Sequence, residues 1–222
     1  MLNGASSSGK STVARAAQRL LPTAFWHYSI DHLLQAGILP RTRIDSGEFL
    51  WTELRPGFFE GFHRSIPALV EAGNNLIVEH IIETREWMDR LAFLLDGYDV
   101  FMVGVHCPLD ELERREIARG DRRIGEAKAD FDTAHLYCEY DMTLNGMDDA
   151  HASAEKLITA WQSRSASGAL NRMAALAKER GASDTITGCR GGVTLRSGAR
   201  PLGSGGVAET LRLINEQSPW RR

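Results

Sequence analysis

Five apolar segments separated by amphipathic helices predict an α/β protein with a parallel sheet covered on both faces. Three observations carry that expectation. Residues 25–30, 75–82 and 100–106 are short and near-continuously apolar, as strands buried on both faces are. Helical periodicity fills the intervals between them. A glycine-rich loop follows the first apolar residues and opens a helix, so ligand chemistry is expected at the carboxyl ends of the strands, just after residues 3, 30, 79, 106 and 144.

The elements follow in chain order. Met1-Leu2-Asn3 is an apolar stub entering the glycine loop. Val13, Ala16, Leu20 and Leu21 recur at helical spacing from Lys10 to Leu21, and Pro22 ends that helix. Phe25 to Ile30 is a strand, and Asp31 behind it suits the cap of a helix through 32–34. Residues 37–57, rich in turn and charged residues, are expected as loops. A helix spans Phe58 to Ala72, with Pro67 inside it and Gly73 closing it. Asn75–Ile82 is a buried strand, Thr84–Leu95 a helix, Val100–His106 a strand, Leu109–Arg119 a charged helix, Tyr140–Leu144 a strand and Ala152–Trp161 a helix. The stub is the odd one. Three residues at about 3.3 Å each span roughly 10 Å, half a usual strand. The expectation is that the native chain starts upstream of Met1.

The 222 residues, 43% apolar and 25% charged, describe a globular chain and exclude collagen, coiled coil and wholesale disorder. No apolar run approaches the roughly 18 residues of a membrane span, and no signal peptide opens the sequence. Three cysteines, Cys107, Cys138 and Cys189, are odd in number and dispersed. That argues against a disulfide framework or zinc ribbon and for a cytoplasmic setting. The net charge of −3 divides unevenly, +5 over residues 165–222 and −8 before them, and nine of the 21 glycines lie in the last segment. A domain over 1–164 is therefore expected, followed by a weakly structured or partly helical tail over 165–222, with helices at Asn171–Arg180 and Ala208–Gln217. The tail's charges are scattered, so neither nucleic acid nor a membrane is expected as partner.

The strongest motif is Gly4-Ala5-Ser6-Ser7-Ser8-Gly9-Lys10-Ser11, which fits G-x-x-x-x-G-K-[ST]. Its glycines let backbone N–H groups wrap phosphate oxygens, and the helix behind it adds its positive end. Gly4 through Thr12 are the expected nucleotide contacts. Lys10 is placed for the β- and γ-phosphates of ATP, and Ser11 for magnesium. Asp31 fits two compatible roles, a helix cap and a general base for an attacking hydroxyl. Glu79, at the end of a buried strand, suits either a magnesium ligand or a carboxylate paired with a basic side chain; His80 beside it points away and is expected to be structural. The run Arg115-Glu116-Ile117-Ala118-Arg119-Gly120-Asp121-Arg122-Arg123 fits a solvated helix or a lid whose arginines close over phosphates, with Gly120 and Gly125 as hinges. Trp51, Phe58 and Phe59 are placed to line an acceptor pocket.

Together these residues resemble the chloramphenicol phosphotransferase family. The resemblance is carried by Leu2-Asn3-Gly4 with Ser7 to Ser11, Ile30-Asp31, Val103 to Cys107, Arg115 to Arg122 with Gly125, and Tyr140-Asp141, in that order over about residues 1–163. It implies a P-loop kinase fold, with sheet order 2-3-1-4-5 and a helical lid. It also implies transfer of the ATP γ-phosphate to a hydroxyl of a small molecule, in the family an antibiotic, which confers resistance. By position it makes Asp31 the catalytic aspartate, Lys10 and Ser11 the phosphate and magnesium groups, and Arg115, Arg119 and Arg122 the lid arginines. The sequence departs from the family's pattern at Glu79-His80, at Asn145-Gly146 and through 37–57. A kinase of another metabolite, such as a sugar acid or nucleoside, and a nucleotide-binding regulatory protein are the alternative readings.

Overall fold

The computed structural model describes residues 1–119, 125–165 and 167–187. In chain order the elements are β1 (Leu2–Asn3), α1 (Lys10–Leu20), β2 (Phe25–Ser29), α2 (Ile30–Gln35), α3 (Arg41–Asp45), α4 (Trp51–Glu71), β3 (Asn75–His80), α5 (Arg85–Leu94), β4 (Val103–His106), α6 (Leu109–Arg119), α7 (Glu126–Thr133), β5 (Met142–Asn145), α8 (Ala150–Gln162) and α9 (Ala169–Thr187). The strands form one parallel sheet in the order β2-β3-β1-β4-β5, as the resemblance implies.

Strand alternation divides the core between the two faces. Ile77 and Val103 point to one side with Leu2, Val105 and Leu144, and there α1 contributes Val13, Ala14 and Ala17 and α8 contributes Leu157. Their neighbours Val78 and Met102 point to the other, against Phe62 and Ile66 of α4, Met88 and Leu91 of α5, and Leu170 and Met173 of α9. Each large apolar side chain so buried contributes roughly 1.5–3 kcal/mol.

β1 has only two residues yet sits at the sheet's centre. Leu2 is in register with Glu79 and Val103, and Asn3 with His80 and Gly104. The side chain of Asn3, fully buried, ties this centre together. Its amide nitrogen donates to the Ala134 carbonyl at 2.5 Å and to the Tyr140 hydroxyl at 2.8 Å, and its oxygen accepts from the Ile82 N–H at 2.9 Å.

Four sequence expectations need correction. Residues 37–57 are not all loop: α3 lies within them and α4 starts at Trp51, with Pro56 and Pro67 inside it. Pro56-Gly57 reads locally as a turn, but the buried stripe Phe59, Phe62, His63 and Ile66 holds the helix across both prolines. Asp31 is not a helix cap. Ser29 is, its hydroxyl accepting from the His32 N–H at 3.2 Å, and Asp31 falls in the first turn. Helix α7 has no counterpart among the sequence expectations. It starts at Gly125 (φ 99°), and the Glu116 carboxylate on α6 accepts from the N–H groups of Gly125 and Ala127, both at 2.8 Å.

The last correction concerns the boundary at 164. The first compact unit runs from Met1 to Asp184, because α9 places Ala169, Leu170, Met173 and Ala174 in the core. The Asp141 carboxylate accepts from the Ala169 N–H at 2.6 Å and fixes where α9 begins. A second unit starts at Thr185. The expected helix Ala208–Gln217, and the lid segment 120–124 with Arg122, lie outside the described residues. Among the described residues, no helix is long and apolar enough to cross a membrane.

Candidate active site

The loop between β1 and α1 is built by backbone geometry. Gly9 precedes α1 at φ 99°, a conformation that favours glycine. Ser7 adopts φ 63°, which costs a non-glycine residue roughly 1–2 kcal/mol, and its buried hydroxyl has no hydrogen-bond partner among the described residues. Strain and an unsatisfied buried group in one residue are typical of a functional loop. The loop from β5 to α8 presses on it from outside. A Cβ added at Gly146 would lie 2.1 Å from the Ser8 carbonyl oxygen and 3.2 Å from that of His106. The departure at Asn145-Gly146 therefore has a steric reason.

Lys10 is buried, its ammonium donating to the carbonyls of Gly4 at 2.6 Å and Ala5 at 2.7 Å. Ser11 donates its hydroxyl to Oε2 of Glu79 at 2.8 Å, and His27 Nε2 meets the other carboxylate oxygen, Oε1. Burial pushes the Glu79 carboxyl upward. The His27 contact, the charge of Lys10 and the Ser11 hydroxyl outweigh it and hold the group below its ordinary range, so the carboxylate is ionised at neutral pH.

One cavity of about 870 Å³ collects most of the expected residues. Its wall includes Ser6 to Thr12, Asp31, Glu79, Arg115 and Arg119. Gly4 and Ala5 stand behind the loop and hold Lys10. Arg115 spans the cavity's outer edge, donating to the Gly146 carbonyl at 3.0 Å and the Ser7 carbonyl at 3.3 Å, with Glu111 orienting it at 2.6 Å. Of the aromatic residues expected around an acceptor, Phe59 lines the cavity. It stacks on Trp87 at 4.2 Å, and the Arg55 guanidinium lies over both rings.

Three site residues were not singled out from the sequence. His27 could have been found by strand parity: it shares a β2 face with Ser29, which is in register with Glu79. Asp130 on α7 accepts from the Ser6 N–H at 2.9 Å. Burial raises its pKa, opposed by that hydrogen bond and by Lys10. Glu116 is the buried link between α6 and α7. Neither acid had a sequence signal, since both act across tertiary contacts. His80, expected to be structural, is buried and pairs with His63, Nε2 to Nε2 at 2.7 Å.

The arrangement supplies N–H donors for phosphate, a lysine, an ionised carboxylate beside a serine hydroxyl, further carboxylates including Asp31, and several arginines around one volume. Known proteins share the fold that builds it. APS kinase of Mycobacterium tuberculosis, solved with AMPPNP and APS, superposes with a TM-score of 0.54 at 20% identity, covering 73% of this chain and 95% of its own. Shikimate kinase of Aquifex aeolicus gives 0.51 at 20% identity, covering 72% and 94%. These likenesses establish the P-loop kinase fold. In sequence, a Mycobacterium tuberculosis protein provisionally named an O-phosphotransferase is 31% identical over 193 residues, which is 78% of this chain and 86% of that protein. The family profile described as chloramphenicol phosphotransferase-like protein matches residues 1–162, which hold the whole sheet and the whole cavity wall. With fold, relative and profile in agreement, the chain belongs to the chloramphenicol phosphotransferase-like family.

Proposed function

We propose that this protein transfers the γ-phosphoryl group of ATP to a hydroxyl group of a small molecule. The observation that carries the reading is a shared wall: the Lys10–Ser11 end of the phosphate loop, Glu79 and Asp31 all face one cavity. The loop N–H groups and the α1 N-terminus receive the β- and γ-phosphates. The Lys10 ammonium moves from the loop carbonyls to the transferring phosphate and offsets its charge. Asp31 accepts the proton of the acceptor hydroxyl as its oxygen attacks phosphorus. Arg115, Arg119 and Arg122 stabilise the three equatorial oxygens from the lid side.

The Ser11 hydroxyl and the ionised Glu79 carboxylate form an oxygen donor set that suits magnesium. Bound there, the cation would neutralise phosphate charge. The acceptor lies between Asp31 and the α2–α4 side, against Phe59. Chloramphenicol is one acceptor that the family supports; a metabolite alcohol is the other class.

The test is an ATP-consumption screen over alcohols including chloramphenicol, sugar acids and nucleosides, run on the wild type and Asp31→Asn. Acceptor-dependent turnover that Asp31→Asn lowers by roughly 10²–10⁴ with ATP affinity retained supports the reading. Because Ser29 caps α2, that variant removes no capping hydrogen bond of the helix. ATP hydrolysis indifferent to every acceptor would favour a nucleotide-binding regulator instead.

A further inference from the structure

The two oxygens of Glu79 have different partners. Oε2 accepts the Ser11 hydroxyl at 2.8 Å, while Oε1 meets Nε2 of His27. The His27 and Glu79 side chains are 7% and 8% exposed, so solvent does not compete for either contact. His27 is itself held in place. The His32 ring packs edge-on against it at 4.4 Å, and Nδ1 of His32 hydrogen-bonds the His27 carbonyl at 3.1 Å. Facing a carboxylate oxygen, Nε2 carries the proton and donates it. The terminal torsion of a glutamate is soft, so without a partner on Oε1 the carboxylate can rotate away from Ser11.

We propose that His27 is a positioning residue for metal–nucleotide binding. Its Nε2–H holds Glu79 in the one orientation that keeps Oε2 on the Ser11 hydroxyl, and so keeps the two oxygens set for magnesium. The inference rests on the reading of Ser11 and Glu79 as magnesium donors given above. Losing such an outer partner typically costs about 10–100-fold in metal affinity. His27 also fills space, so the test must separate its N–H from its volume. His27→Gln keeps a donor in reach of Oε1; His27→Leu keeps apolar volume and has none.

The experiment titrates magnesium into the full-length protein saturated with ADP, followed by calorimetry. ADP affinity without metal is measured in parallel. His27→Leu should raise the magnesium midpoint by about 10–100-fold and leave metal-free ADP affinity unchanged, while His27→Gln should stay within about threefold of wild type. A His27→Leu midpoint within about threefold of wild type overturns the proposal. So does a His27→Gln loss as large as that of His27→Leu, which would make ring volume the cause. A wild-type protein that binds ADP with no response to magnesium overturns the reading of Ser11 and Glu79 and takes this inference with it. Should His27→Leu fail to fold, the wild type still decides. The His27 Nε2–H resonance should move when magnesium is added to the ADP complex, and a stationary resonance refutes the clamp.

Discussion

The Lys10 ammonium lies 2.6 Å from the Gly4 carbonyl oxygen, so the side chain folds back across its own loop. It braces the loop in this state, and in the proposed reaction it leaves those carbonyls for the transferring phosphate. Lys10→Ala should therefore lower kcat by roughly 10²–10³, the loss typical of a preorganised charge donor. Acceptor phosphorylation at a wild-type rate by a folded Lys10→Ala protein would show that the loop works without it.

Gly146 predicts a steric failure rather than a chemical one. A methyl group there must displace the Ser8 carbonyl, only 2.1 Å from the added Cβ. Gly146→Ala should cost about 1–3 kcal/mol of stability and weaken ATP binding together, because the displaced atom belongs to the phosphate loop. Urea unfolding and nucleotide titration check both, and a change in neither would mean that the β5–α8 loop yields freely.

Truncation distinguishes the two domain boundaries. A chain ending at 164 loses Leu170 and Met173, which are 1% and 6% exposed in the core. Each such loss costs about 2–5 kcal/mol, against a usual total stability of about 5–15 kcal/mol. The 164 chain should be largely unfolded at 37 °C, whereas one ending at 187 should melt cooperatively. Equal melting temperatures for the two would favour the boundary at 164.

Stability should also fall with acid. Burial lowers the pKa of His63 to about 4, that of His80 to about 3 and that of His135 to about 4. In the unfolded chain each returns to about 6.5. The unfolded state thus binds more protons below that pH, and stability drops as pH falls from about 6.5 toward about 4. Each tenfold difference in proton affinity between the two states is worth about 1.4 kcal/mol, so the loss deepens steadily as the pH falls through that range. Urea midpoints that stay level from pH 6.5 to 4.5 would contradict the burial of these rings as neutral groups.

Much of the site was legible because its chemistry is local. The phosphate loop is one contiguous motif, and Asp31 and Glu79 lie where apolar strands end. The sheet's order came from the likeness over residues 1–163, since apolar runs alone say nothing of neighbours. What escaped depends on contacts made across the fold. Pro56-Gly57 has the composition of a turn, and only the packing of Phe59 and Phe62 overrides it. Helix α7 is short and polar, and its start is fixed by a carboxylate nine residues earlier, Glu116. The start of α9 is set by Asp141, 28 residues before it, so no window of local sequence could mark it.

Asn3 gives the fold a built-in chronology. Its side chain bonds residues 79, 131 and 137 positions further along the chain. Closing loops of that length carries a large entropic cost before any reward, so these bonds form late. Asn3 leaves the ribosome long before Tyr140 is synthesised, and until then β1 can pair with β3 and β4 but lacks the bonds to Ala134 and Tyr140 that hold the Asn3 amide nitrogen. The last fixings of the strand that launches the phosphate loop therefore come only near the end of synthesis of the sheet.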